Sequence, residues 1–413
     1  MTDDVKADRA EVHHDRPISF PLRAPTWPGE PVPGVRTVIG DRPVARVELP
    51  DGSLAWLITG FEEARQAVID QRFSRALAVE PGRSPRGTDV LAAGSILGLD
   101  PPEHTRLRRL VASAFTARRV EAMRPRIAGI VTGLIDALAA QPQPADLVSG
   151  FALPLPVAVI CEMLGVPTQD MEQFHVWSDT AIGNWQRDGD VILAAMAEMY
   201  QYFGQLIAAK RAQPADDLMT ALIAARDRDD RLSEQELTAL GCALLIGGHE
   251  TTANVLVLSL IELLAHPAEL AKLHADPDLI PGAVEEFLRY VRLGGGLPLT
   301  RVAREDVRLG EVMIAAGEVV LPHYGAANRD PSVFDDPDRF DVCRAPANHL
   351  GFGAGTHHCL GAQLARLELQ EAFRGLLGKL PRLRLAVPAR ELRFKQGMAL
   401  HSLRELPVRW DTV

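Results

Sequence analysis

Cysteine is scarce: Cys161, Cys242, Cys343 and Cys359 are scattered over 413 residues without the spacing of a disulfide framework. That usage excludes a stapled secreted scaffold and suits a reducing cytosol. Paired C-x2-C or H-x3-5-H spacing is also missing, so a structural zinc site has little to build on, although His349, His357 and His358 lie near Cys359. The segment from Met1 to Gly34 is charged and proline-rich and lacks a basic stretch followed by an apolar run, which argues against a signal peptide or an N-terminal membrane anchor. Net positive charge is absent as well: the balance is -10, against nucleic-acid binding, which needs a basic surface to neutralise phosphate. No internal repeat is evident.

What is present is a chain long enough, at 47% hydrophobic residues, to bury a large core. Residues 1–34 are expected to be a flexible lead and 35–413 a single domain. Val35–Ile39, Val44–Leu49 and Leu54–Ile58 read as strands, the last two joined by the turn Pro50-Asp51-Gly52. Phe61–Asp70 reads as a short amphipathic helix, and residues 72–98, rich in small residues, have no clear period. Asp100-Pro101-Pro102-Glu103 looks like a helix start, with Asp100 as the N-cap. On the helix it opens, His104 and Arg108 share one face. They belong to a basic stretch, with Arg106, Arg109, Arg118 and Arg119, inside an acidic chain. From 120 to 230 helical patterns alternate with proline breaks.

Ser233-Glu234-Gln235-Glu236 is a capping box, and the helix it starts meets no breaker except glycine before His266-Pro267. About 33 residues at the α-helical rise give about 50 Å, enough to cross a whole domain. A membrane span fails at its middle, where Gly247-Gly248-His249-Glu250-Thr251 would put ionisable groups at the bilayer centre. The helix is therefore expected to be buried and central. Each interior glycine costs about 1 kcal/mol relative to alanine, and an unpartnered carboxylate in apolar surroundings costs more. Such violations of local preference are expected at functional sites.

Further on, Glu285, Glu286 and Arg289 share a helix begun at Pro281. Leu297–Ala303 reads as a strand carrying Arg301, and Val307–Leu321 as a hairpin turning at Gly310 and Ala316-Gly317. Residues 382–410 read as short strands, with Gln396–His401 as a loop tip. The run Phe352-Gly353-Ala354-Gly355-Thr356-His357-His358-Cys359-Leu360-Gly361 delivers one cysteine to a helix start, where unpaired N–H groups favour thiolate over thiol. The glycines leave room for a flat, bulky partner close to the backbone. A buried structural cysteine, a zinc ligand and a nucleophile paired with histidine are the competing readings.

At every fixed position this run resembles the haem-thiolate loop of the cytochrome P-450 monooxygenases. Three further motifs follow the family's order, so the resemblance covers about residues 35 to 410. It implies a mainly α fold with a minor β region, one large domain with a long central helix beside the haem. It implies Cys359 as the axial ligand of the iron of haem b. The cofactor is then held by His104, Arg108, Arg301 and His357, the first three of which resemble propionate-binding positions. Gly247–Thr251 resembles the oxygen-binding groove, with glycine at 247 where alanine is more usual, and Glu250 and Thr251 as the proton-delivering pair. Glu286 and Arg289 resemble a structural ion pair completed by a downstream arginine, Arg339 first and Arg344 second. Phe174, Trp177 and Trp185 lie where the family places its substrate lid, although ordinary core aromatics fit equally well.

The activity so implied is insertion of one oxygen atom of O2 into a bulky apolar small molecule, such as a polyketide or macrolide. Electrons come from NAD(P)H through ferredoxin reductase and ferredoxin, docked on the basic Arg108, Arg109 and Arg366. The implied protein is bacterial, cytoplasmic and monomeric, with no nucleic-acid or membrane partner. A haem-thiolate peroxygenase and a fatty-acid or terpene hydroxylase are the alternatives. A haem gas sensor would need a signalling domain, and a zinc hydrolase would show no visible absorption.

Overall fold

The computed structural model describes residues 18–20, 35, 42–80, 83, 95–181, 185–229, 232–294, 299–345, 348–395, 398 and 400–411. Strands β1 (Ile18–Ser19), β2 (Val44–Glu48), β3 (Leu54–Ile58) and β4 (Phe73–Ser74) join β5 (Arg301–Ala303) and β8 (Val319–Pro322) in a six-stranded sheet of order β1-β2-β3-β8-β5-β4. The hairpin β6 (Val307–Leu309) and β7 (Val312–Ile314) turns at Gly310, whose φ of +58° suits glycine. Ile18 and Ser19 pair in parallel with Val47 and Glu48, so the expected flexible lead is tied to the sheet at this point. A third sheet joins Ala145–Asp146, Arg384–Leu385 and Pro407–Arg409.

Everything else that is regular is helical. The helices that matter here are α1 (Phe61–Ile69), α2 (Glu103–Ala112), α3 (Arg124–Ala139), α4 (Pro154–Leu164), α5 (Met171–Ala181), α6 (Trp185–Ala212), α7 (Glu234–Ala265), α8 (Ile280–Tyr290) and α9 (Ala362–Lys379). Helix α7 runs 32 residues and opens on the expected capping box: the Ser233 hydroxyl accepts from Glu236 N–H, and the Glu236 carboxylate from Ser233 N–H. It is long and apolar enough to cross a membrane, but 72% of its most apolar window is buried inside the protein, which makes it a core helix. Helices α4, α5, α6 and α9 pack around it. Its glycines let them close in: a Cβ on Gly241 would meet the Phe203 ring of α6 at 2.6 Å, and one on Gly248 would meet Ile160 of α4 at 3.3 Å.

Some expectations change. Asp100 does not cap α2 with its side chain; the carboxylate instead accepts from the N–H groups of Arg75 and Ala76, the Ser74 hydroxyl and the Arg304 guanidinium. Four donors from other segments of the chain outcompete a local cap. The irregular 72–98 stretch contains β4 and two short 3-10 turns at Leu77–Val79 and Ile96–Gly98. Residues 36–39, 81–82, 84–94, Gly295-Gly296 with Leu297-Pro298, and Gln396-Gly397 with Ala399 lie outside the described residues, and with them the corresponding strand and loop expectations. Phe174 and Trp177 are buried in a cluster of edge-to-face rings with Tyr202 and Phe203, the core reading. The side chain of Trp185 lies outside the described residues.

Candidate active site

The cysteine loop is braced from three directions. Gly353 and Gly355 have φ of +68° and +67°. At Gly355 glycine is needed twice over, because a Cβ would also stand 2.8 Å from the Val68 carbonyl of α1. The Leu350 N–H donates to Asn328 Oδ1 at 2.6 Å, and Cys359 N–H donates to the Phe352 carbonyl at 2.9 Å. From α2, Arg108 Nη2 donates to the His358 carbonyl at 2.6 Å. One turn earlier, His104 is buried and lies against His357, ring centroids 4.2 Å apart.

Cys359 itself is solvent-exposed, although protein surrounds much of it. Burial raises its thiol pKa, opposed by the Gly361 N–H and by the cationic Arg108 and Arg366. The helix start expected to favour thiolate is displaced: α9 begins only at Ala362, and Gly361 is its N-cap. An electron-pair acceptor such as a metal ion is what would fix the thiolate.

Arg301 projects from β5, is buried, and leaves Nε without a partner among the described residues; His357 Nε2 is likewise unpartnered. Burial, together with Arg301 and His104, pushes the His357 pKa down to about 3, so its imidazole is neutral. The structure thus brings His104, Arg108, Arg301 and His357 around Cys359. It adds two residues that the sequence did not single out. Arg75, fully buried, donates to the Leu97 carbonyl at 3.1 Å and to the Thr300 carbonyl, and its charge is felt at Arg301 and His357. Tyr324 is hydrogen-bonded with Arg301. Arg75 falls in a stretch without periodicity, where no sequence signal marks it.

On α7 the Glu250 carboxylate is buried; Oε2 accepts from Asn254 Nδ2 at 3.2 Å while Oε1 has no partner among the described residues. Burial and the nearby Asp179 push its pKa up to about 7, against the pull of Lys395 and Asn254. The carboxyl is therefore poised to hold or release a proton near neutrality. Thr251 donates back to the Gly247 carbonyl at 2.9 Å. A Cβ on Gly247 would meet nothing within 4 Å, so the glycine there is not forced by packing. Helix α7, which carries this pair, packs on α9, the helix that follows the Cys359 loop.

Glu286 and Arg289 form a buried bidentate ion pair, Nε to Oε2 at 2.6 Å and Nη2 to Oε1 at 2.8 Å. The third member is Arg344, whose Nε lies 3.2 Å from Glu286 Oε2; Arg339, the expected first choice, turns its guanidinium to Asp341 and offers Arg289 only its backbone carbonyl. The reason is geometric, since the Asp341 N–H already bonds Glu286 and the next turn carries Arg344 inward.

These residues fit a haem. Unpartnered imidazole and guanidinium nitrogens suit propionate oxygens, the sulfur suits iron, and the glycines leave space beside the backbone. Comparison with known proteins decides the family. Residues 157–380 match the family model for cytochrome P-450. The chain is 48% identical to nocardicin C N-oxygenase of Nocardia uniformis subsp. tsuyamanensis, over 92% of this chain and 97% of that one. This chain belongs to the cytochrome P-450 family. It is also 48% identical to mycinamicin IV hydroxylase/epoxidase of Micromonospora griseorubida, over 89% of this chain and 92% of that one. Among solved structures, the LnmA cytochrome P-450 hydroxylase from the leinamycin pathway of Streptomyces atroolivaceus superposes with a TM-score of 0.88 at 44% identity, covering 95% of this chain and all of the other. As a P-450, the chain is a haem-iron monooxygenase of mainly α fold.

Proposed function

We propose that this P-450 places one oxygen atom of O2 on a bulky, largely apolar natural product of the polyketide or macrolide kind, using haem b and electrons from NAD(P)H passed through ferredoxin reductase and ferredoxin. Cys359 would hold the iron, His104, Arg108 and Arg301 would hold the propionates, and His357 would complete the set of residues that bind the cofactor. The haem supplies the oxygen-activating chemistry, which a thiolate ligand favours. Glu250, with its pKa raised to about 7, and Thr251 would hold a proton and pass it on along α7. A monomer working in the cytoplasm, with residues 35–413 as one domain, completes the reading.

The single observation that carries it is the solvent-exposed Cys359, offered by a glycine-braced loop in which His357 and the neighbouring Arg301 have unpartnered nitrogens among the described residues. Two relatives named for work on nocardicin C and mycinamicin IV support the substrate class. The first of them oxygenates nitrogen, so both C–H and N centres belong in the test. The test is a ligand screen on the purified haem protein, read by the Soret shift as ligand displaces water, followed by product analysis. Macrolides or comparable polyketides are expected to give the shift. Shifts from fatty acids or small terpenes alone would overturn the substrate class, and a reduced, carbon-monoxide spectrum without the thiolate-type band would overturn the haem assignment itself.

A further inference from the structure

Behind the acid-alcohol pair, α5 and α7 bring two imidazoles and a carboxylate together. His175 of α5 faces His249 of α7, with Nδ1 and Nε2 3.4 Å apart and the rings nearly perpendicular at 81°. Glu250, the next residue, contributes an oxygen, and the ligand atoms of all three lie within 4.8 Å of one another. His249 and Glu250 are buried, and Glu250 Oε1 has no hydrogen-bond partner among the described residues. The imidazole separation is long for a hydrogen bond, which ordinarily spans about 2.7–3.2 Å. It does fit two nitrogens on one tetrahedral ion, since zinc–nitrogen bonds of about 2.0–2.1 Å set the ligands about 3.4 Å apart.

We propose that His175, His249 and Glu250 form a divalent-cation site, suited to Zn2+, that fastens α5 to α7. Two neutral imidazoles and one carboxylate are a borderline-soft N2O set, the kind that selects zinc over magnesium or calcium. A rotation of the Glu250 carboxylate closes the third bond. Asp179 follows His175 by one turn on α5 and so faces the same way. Its carboxylate accepts from Lys395 at 2.5 Å, and it or a water takes the fourth position. Occupation ties up the carboxylate to which the proposed function assigns proton delivery, so zinc acts as an inhibitor of turnover. The binding itself does not depend on that assignment.

The experiment dialyses tag-free, haem-loaded protein against Zn2+ and measures bound zinc by elemental mass spectrometry. The wild type is expected to retain one more zinc per chain than His175→Asn or His249→Asn, with the Soret band unmoved by the metal in all three. Equal zinc in wild type and both variants overturns the site. His175 is only partly buried, so His175→Asn decides the matter should His249→Asn fold poorly. In a second arm, zinc that suppresses wild-type turnover at concentrations about tenfold below those needed for His175→Asn supports the inhibitory role. Equal sensitivity overturns that role while leaving the metal count to stand alone, and zinc binding with no Glu250 effect on proton delivery would instead fault the proposed function.

Discussion

At the residue scale, the environment of Cys359 shows what a motif carries and what it leaves out. Spacing identified the sulfur and its glycines and put it at or just before the first turn of a helix; it lies just before, two residues ahead of the N-cap Gly361, and there burial turned the expected bias toward thiolate into a raised thiol pKa. Replacement Cys359→Ala is expected to abolish the thiolate-type spectrum of the reduced carbon-monoxide complex; its retention would mean another sulfur serves. A second carboxyl, invisible to motif reasoning, has a consequence of its own. Glu368 on α9 is buried with Oε2 unpartnered, and burial raises its pKa from 4.5 to about 8. Between those pH values the folded chain holds a proton that the unfolded chain has released, so stability must fall as pH rises, at up to about 1.4 kcal/mol per pH unit. Glu368→Gln should flatten that dependence, gaining stability over wild type at pH 8 and little at pH 5. Urea denaturation at the two pH values checks it, and parallel losses in both proteins would refute it. Nothing in the sequence around Glu368 marked it as buried or set it apart from Glu371, which is buried but paired with Arg124 and Arg374, because burial is set by packing of α9 on α3, α7 and α8.

At the element scale, local chemistry was legible where it was self-contained. The capping box of α7 formed as read, because both partners lie within four residues. The Asp100 cap failed because its competitors, Ser74, Arg75 and Arg304, come from distant segments. The ion pair on α8 divides the same way: spacing allowed Glu285 or Glu286 to pair with Arg289 and the family resemblance chose Glu286, one turn away, whereas the third partner arrives from a loop and is Arg344, the second choice, rather than Arg339. Arg344 is half-buried on the Glu286 carboxylate, and Arg339 lies at the surface on Asp341. Removing one partner of a buried pair costs about 3–5 kcal/mol, and an exposed pair is worth about 0–1 kcal/mol. Arg289→Ala should therefore prevent stable haem incorporation, Arg344→Ala should lower thermal stability and holoprotein yield, and Arg339→Ala should do neither. Comparable losses in Arg339→Ala and Arg344→Ala would undo the correction. The loop before α9 makes a sharper test of backbone: at Gly355 a side chain is opposed by a φ of +67° and by the Val68 carbonyl, so Gly355→Ala should cut haem retention well below that of Gly361→Ala, whose Cβ meets nothing within 4 Å.

At the scale of the whole molecule, charge rather than packing governs the remaining question, how electrons arrive. The chain carries a net -10, yet its basic stretch leaves Arg109 on α2 and Arg118 and Arg119 on the helix Ala117–Ala122 exposed. That short helix packs against α9, the helix that follows the Cys359 loop, so the basic ground lies near the face where the thiolate would be reached. The docking surface expected from sequence needs revision. Arg108 turns inward to the His358 carbonyl, and Arg366 makes a bidentate pair with Glu285 at 2.7 and 2.9 Å, which spends much of its charge locally. Sequence could count these arginines but not say which way they point. The acidic ferredoxin proposed as electron donor would then be steered chiefly by Arg109, Arg118 and Arg119, and such long-range steering raises association rates and is screened by salt. The triple replacement Arg109→Glu, Arg118→Glu, Arg119→Glu should slow reduction by a ferredoxin at least tenfold at low ionic strength, with the difference shrinking as salt rises and the Soret spectrum unchanged. Arg366→Ala should instead disturb the haem spectrum or stability, through loss of its pairing with Glu285 and its packing over the Phe352 ring, more than it alters the salt dependence. Stopped-flow reduction over a salt series separates the two: a triple variant as fast as wild type at low salt, or an Arg366→Ala variant that alone removes the salt dependence, would move the docking surface back to where the sequence first put it.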